Sequence, residues 1–231
     1  MSRVIAIMAK APIPGQAKTR LAAAIGDEAA ARLHRAFLEQ SVATACSVPH
    51  TTVALMAPDS VHAAALHAIV PPGVAVWHQQ RPGLMAGISQ AFEHAQAGGA
   101  DTVLVSETDS ATLPAAHLAA CFELLAQPGS LVLGPCADGG YYLAGASNLD
   151  GALARDLFEG ETYSSETICQ STAIRARILG LDVMFGPEWY DVDTLDDLRR
   201  LSRQLEQLPP GEFDRLRRAL VHVPLAEEEP V

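Results

Sequence analysis

The chain has 231 residues, 49% of them hydrophobic and 19% charged, with 16 Lys and Arg against 27 Asp and Glu for a net charge of -11. This length supports one sizeable core, and a single α/β domain over 1–222 followed by an acidic tail at 223–231 is the simplest division. The acidic balance disfavours nucleic acid and anionic membranes as partners; no apolar run approaches the ~20 residues of a membrane span and no signal-peptide pattern opens the chain, so a cytoplasmic protein is expected.

Cys46, Cys121, Cys136 and Cys169 are far apart and form no C-x-x-C pair, which predicts reduced thiols.

The first strand is predicted at Val4 to Met8. Directly behind it, Met8 to Leu21 reads MAKAPIPGQAKTRL. Pro12 and Pro14 stiffen this loop, Gly15 permits close backbone approach, and Lys10, Lys18 and Arg20 bring the charge that a diphosphate or triphosphate needs. A phosphate cradle over Lys10, Pro14, Gly15, Lys18 and Arg20 is weighed against a merely solvated loop. Gly15-x-x-Lys18-Thr19 comes near the P-loop, but Ala17 stands before the lysine. An ordinary P-loop ATPase is therefore rejected, and the absence of G-x-G-x-x-G here removes the main sequence argument for a dinucleotide enzyme.

A helix follows at Asp27 to Cys46 with Asp27 as N-cap, then a strand at Thr52 to Met56, a helix at Ser60 to Val70, a strand at Val74 to Trp77 and a helix at Met85 to Ala97. The strand Thr102 to Ser106 runs into VLVSETDSATLP, which sets Glu107 and Asp109 at a carboxyl edge, with Ser110 next and a helix from Pro114 to Ala126. A carboxylate at such an edge suits a divalent metal that bridges phosphates, and Asp109 is placed there slightly ahead of a plain capping role.

After the strand Ser130 to Gly134, the stretch GPCADGGYYLAG joins a turn at Asp138, Gly139 and Gly140 to the apolar aromatic run from Tyr141 to Leu143. Asp138 is a candidate for a ribose or sugar hydroxyl; D-G is equally a hairpin signal, and both readings are compatible. A helix at Ser164 to Leu179 stops at Gly180 and leads to a strand at Leu181 to Phe185. WYDVDTLDDLRRL then puts Asp191 and Asp193 on one face of an extended segment, ahead of a helix at Thr194 to Gln207. These carboxylates are candidates to complete a metal site with Asp109, and a cap role for Asp193 or Thr194 reads about as well. His34, His62, His67, His94 and His117 lack ligand spacing and are assigned to surface or packing.

Continuous apolar strands alternating with helices predict a three-layer α/β/α sandwich around a mostly parallel, doubly wound sheet, with ligands at the carboxyl ends of its strands.

Four stretches in this order, K-A-P-x-P-G-x-A-K-T-R-L, T-D-S-x-T-L-P, G-P-x-x-D-G-G-Y-Y-L and Y-D-V-D-T-x-x-D-L, span about Ile5 to Leu201 and resemble the selenodomain-associated transferase family. The family is similar to phospholactate guanylyltransferases and molybdopterin nucleotidyltransferases. The resemblance implies a GT-A, nucleotide-diphospho-sugar transferase fold and a nucleotide-binding transferase using Mg²⁺ or Mn²⁺. Carried over by position, Gly15, Lys18 and Arg20 hold nucleotide phosphates, Asp109 and Asp193 hold the metal, and Ser110 with Asp138 to Tyr141 lines the acceptor or sugar pocket. Against the family pattern the chain carries Glu107 and Ala111, an uncharged stretch after the turn within Arg81 to Phe92, and TYSSET at Thr162 to Thr167.

The functional expectation is transfer from a nucleoside triphosphate or nucleotide-sugar to a small acceptor, with Lys18, Arg20 and Asp109 at the chemistry. Nucleotidyl transfer is slightly preferred, because the basic loop after the first strand is where a triphosphate lies. A glycosyltransferase is the alternative and a catalytically silent nucleotide-binding regulator the further one; a homodimer is compatible with all three.

Overall fold

The computed structural model describes residues 2–159, 167–221, 223 and 225. The TYSSET stretch as far as Glu166, the predicted start of the helix at Ser164, and residues 226–231 of the expected tail lie outside the described residues.

The chain runs β1 (Arg3–Met8), α1 (Thr19–Ile25), α2 (Asp27–Cys46), β2 (Thr51–Ala57), α3 (Ser60–His67), β3 (Ala75–His78), α4 (Leu84–Ala97) and β4 (Thr102–Glu107). It continues through α5 (Ala115–Leu124), β5 (Ser130–Pro135), β6 (Tyr141–Ser147), α6 (Gly151–Phe158), α7 (Ile168–Ile178), β7 (Asp182–Phe185), α8 (Leu195–Gln207) and α9 (Asp214–Leu220). The strands form one sheet in the order β3-β2-β1-β4-β6-β5-β7. Only β6 runs against its neighbours β4 and β5; the other pairs are parallel.

Alternation along β1 explains the layers. Ile5 and Ile7 enter one cluster with Leu38 and Val42 of α2, Leu66 of α3 and Phe122 of α5. Val4, Ala6 and Met8 enter the opposite one with Phe92 of α4, Phe158 of α6 and Ala173 of α7. Both faces of the strand are thus covered, which is why its sequence is a continuous apolar run. A third cluster joins Leu21 of α1, Phe37 of α2, Val192, Leu201 of α8 and Leu216 of α9.

Several local expectations are corrected. The strand β6 was expected only as a turn with an aromatic run, and the hairpin alternative proves right: Cys136 N donates to Gly140 O at 2.9 Å as β5 turns back into β6. Gly145 in β6 is required by packing, since a Cβ there would sit 2.8 Å from Val132 Cγ1 and collide with Leu104. Asp27 is the first residue of α2 and not its cap; Gly26 stands at the junction with φ 84°, because one residue must end α1 and start α2 at a positive φ. The helices α1, α6 and α9 went unread.

Candidate active site at the carboxyl edge of the sheet

Beyond β1 the backbone stays paired for one more residue, Ala9 N donating to Met56 O at 3.0 Å, and then leaves the sheet. His34 of α2 holds the departing loop: its Nε2 is 2.9 Å from Lys10 O, and because a carbonyl only accepts, that nitrogen carries the proton. The loop turns at Pro14 to Gln16 with Gly15 at φ 75° and ends at Lys18, whose φ of 51° and ψ of 45° are left-handed for a residue with a side chain.

That conformation turns the Lys18 side chain inward, where it is 3% exposed. Its ammonium lies 2.6 Å from Val192 O, 2.9 Å from Asp193 Oδ1 and 3.0 Å from Asp109 Oδ1. The Phe37 ring lies beneath it at 5.5 Å. Val192 N donates to Asp109 O at 3.0 Å, so a backbone bond holds the segment after β7 against the loop after β4 and brings the two aspartates together.

The first loop and two aspartates distant in sequence therefore converge on one point. Arg20 Nη1 stands 3.8 Å from Asp193 Oδ2 with an exposed side chain. Lys10 is also exposed and lines the same cavity, while Pro14 and Gly15 sit at the exposed loop tip outside its wall. Asp191 points elsewhere, accepting a short hydrogen bond from the Ser110 hydroxyl and lying 3.4 Å from Cys136 Sγ. Ser110 is buried by this contact and does not line the cavity. Asp138 Oδ1 accepts from Gly140 N at 2.9 Å, so the turn through Gly139 (φ 91°) stands at the same sheet edge without entering the cavity wall. The Tyr141 hydroxyl lies 3.9 Å from Met85 Sδ, at the start of α4.

Of the two readings of the last motif, the structure shows the cap, and it leaves the Asp193 side chain facing the Lys18 ammonium. Thr194 caps α8 through a reciprocal bond pair with Asp197, and Asp197 Oδ2 also accepts from Asp193 N at 3.2 Å, which fixes the peptide carrying Asp193.

The cavity has a volume of about 560 Å³. Lys10, Lys18, Arg20, Asp109 and Asp193 give its lining charge, and Met8, Met56, Pro58 and Leu84 give it apolar surface. Gln79 and Gly83 also line it, and the loop that joins them is held by buried Gln90 of α4: Oε1 accepts from Gln80 N at 2.6 Å and Arg81 N at 3.0 Å, and Nε2 donates to Arg81 O at 2.9 Å. His34 and Gln90 are site-building residues that sequence reasoning missed, His34 having been assigned to packing.

Charge is crowded here. Desolvation, reinforced by Asp109, Asp191 and Asp193, pushes the Glu107 carboxyl up to about 8, so it holds a proton at neutral pH. Desolvation also raises the Asp109 carboxyl, but the Lys18 charge and hydrogen bond, with smaller help from His34 and Thr108, bring it below the ordinary value. Burial works against the Lys18 ammonium, and the two aspartates more than offset it and hold the ammonium charged. Asp191 is raised by desolvation.

Asp109 and Asp193 thus share a single cation, the Lys18 ammonium, and two carboxylates facing one cation match the protein share of a Mg²⁺ or Mn²⁺ site whose other ligands are phosphate oxygens and water. No group of three or more His, Cys, Asp and Glu is placed to hold a metal among the described residues.

Known proteins share the architecture. A protein described as a nucleotide-diphospho-sugar transferase from Desulfovibrio desulfuricans G20 superposes with a TM-score of 0.82 at 26% identity, covering 94% of both chains. A cytidylyltransferase from Leptospira borgpetersenii serovar Hardjo-bovis gives 0.61 at 14% identity, covering 95% of this chain and 94% of its own. A manganese complex of Rv0371C from Mycobacterium tuberculosis H37Rv gives 0.52 at 20% identity, covering 87% and 97%. No curated protein sequence matches significantly. A family model described as "Uncharacterized protein conserved in bacteria (DUF2064)" matches residues 40–165.

Proposed function

We propose that this chain, which belongs to the DUF2064 family, is a metal-dependent transferase that takes a nucleoside triphosphate or nucleotide-sugar and a small acceptor, with nucleotidyl transfer preferred. The observation that carries this reading is the convergence of Lys18, Asp109 and Asp193 in the wall of one cavity. The motif order shared with selenodomain-associated transferases supports it.

Asp109 and Asp193 would hold Mg²⁺ or Mn²⁺, whose chemistry there is to neutralise charge developing on phosphate oxygens. Met8, Met56, Pro58 and Leu84 offer apolar surface to a nucleoside, while Lys10 and Arg20 present exposed charge to its phosphates. The turn from Asp138 to Gly140, with Tyr141, would lie outside the cavity wall on the acceptor side, while Ser110, buried against Asp191, would support the site and not contact the acceptor. In nucleotidyl transfer an acceptor oxygen forms a bond to the α-phosphorus and pyrophosphate departs with the electrons of the broken P–O bond. The protein contributes position and charge, and no covalent nucleophile on the chain is needed.

Glycosyl transfer uses the same groups, and the likeness to the Desulfovibrio protein favours keeping it as the second reading. Product analysis with CTP, GTP and UDP-sugars separates them: pyrophosphate marks the first reaction, free UDP the second. Asp109→Asn is expected to cut Mn²⁺-dependent nucleotide binding at least about tenfold in calorimetry, in line with losing a charge-assisted contact, and to leave the fold intact by circular dichroism. Unchanged affinity removes Asp109 from the metal role. Metal-independent binding with no turnover would favour the silent regulator.

A further inference from the structure

We propose that the Lys18 ammonium is a displaceable occupant of the metal position: it holds Asp109 and Asp193 together in the metal-free protein and leaves when a divalent cation binds between them, becoming available to phosphate. This rests on the metal-dependent reading above and adds an order of events at the same site.

Counting donors is the first step. A lysine ammonium has three N–H groups; Lys18 donates to Val192 O and Asp193 Oδ1 and forms an ion pair with Asp109 Oδ1 at 3.0 Å. Three protein oxygens thus surround an ammonium whose side chain is 3% exposed. To contact a phosphate, Lys18 must give up part of this arrangement.

Charge is the second. Two carboxylates at 2.9 and 3.0 Å from one ammonium repel each other unless a cation stays between them. A divalent cation in that position satisfies the pair better and repels the ammonium, since like charges a few ångströms apart in a shielded site interact strongly. One cation must leave as the other arrives.

The backbone is the third. Lys18 sits at φ 51° at the head of α1, a left-handed conformation that an ordinary side chain adopts under constraint, and the bonds from its ammonium supply that constraint. The exposed turn at Pro14 to Gln16 lies just before it, so the side chain can swing without disturbing the buried anchors Ala17 and Leu21. Lys10 and Arg20 remain exposed throughout and meet phosphates first.

The sequence supplies a direct test, because Lys10 and Lys18 are its only lysines. Amine acetylation read by mass spectrometry is expected to label Lys10 readily and Lys18 at least about tenfold more slowly in metal-free protein; Mn²⁺ alone should raise the Lys18 rate several-fold and leave Lys10 unchanged. In parallel, Lys18→Met should bind Mn²⁺ at least about tenfold tighter than the parent without nucleotide, by electron paramagnetic resonance, whereas Arg20→Met, which removes an exposed charge 3.8 Å from Asp193 alone, should raise affinity by only about two- to threefold. Lys18→Gln serves if the methionine variant does not fold, and the labelling arm needs no variant. Mn²⁺ bound to the parent with Lys18 still protected overturns the displacement alone, as do equal affinity gains in the Lys18 and Arg20 variants. Failure of the parent and both variants to bind Mn²⁺, with or without CTP, overturns the metal-dependent function as well.

Discussion

At Glu107 a half-buried carboxyl faces Asp109, Asp191 and Asp193, and its proton is retained up to about pH 8 instead of leaving near the ordinary 4.5. The unfolded chain loses that proton near 4.5 while the folded protein keeps it, so this group's contribution is full below 4.5 and is lost as pH rises to about 8. Glu107→Gln, always neutral, is expected to flatten the fall of melting temperature between pH 5 and 9; at this chain length each kcal/mol shifts it by about 2–4 °C. Parallel pH profiles for the two proteins would contradict the assignment. His34 gives a second expectation at this scale: His34→Leu removes the bond to Lys10 O and should weaken nucleotide binding by a few-fold, about 1 kcal/mol, while leaving the turnover rate nearly unchanged. Lys18, Asp109 and Asp193 stood out in the sequence as charged groups in a Pro-Gly loop, at the end of a predicted strand and in an extended segment ahead of a helix, and the pairing of the two aspartates was expected. The ion pairs that Lys18 makes with both were not, since they depend on the backbone bond from Val192 to Asp109. Nor were His34, which acts on the backbone of a distant loop, and Gln90, which acts on the backbone of the loop leading into its own helix.

Among the elements, β1 through β5 and β7 were readable as apolar runs, and α2 matched its predicted span. The strand β6 was obscured because its glycine and alanines answer to close packing across the sheet, where Gly145 meets Leu104 and Val132, and small residues carry little strand propensity. Gly145→Ala should therefore destabilise the protein by about 1–3 kcal/mol in urea titration, as overpacking does. α8 is readable from both of its signals, the cap and the amphipathic stripe of Leu198, Leu201 and Leu205. Thr194→Ala is expected to cost about 1 kcal/mol through the broken capping box.

For the whole molecule, the three-layer architecture followed from alternating strand and helix patterns, whereas the third cluster did not, because it gathers α1, α2, α8 and α9 from both ends of the chain. No helix among the described residues is long and apolar enough to cross a membrane. All four cysteines are free thiols, with Cys46 exposed and the other three buried. Burial pushes the Cys121 thiol up to about 11 and raises Cys136 and Cys169 as well. A thiol-specific reagent should accordingly modify Cys46 first, with the remaining three reacting only after denaturation; rapid labelling of all four in the native protein would contradict this packing.

The Asp197 carboxylate accepts from the backbone N–H groups of both Asp193 and Thr194, so the first turn of α8 and the position of one site aspartate form a single unit. Helix ends fray more easily than a central sheet melts. On warming, the proposed nucleotide binding should therefore fail several degrees before the ellipticity of the protein collapses, and return on cooling, so that its loss reports on one helical turn and not on the fold.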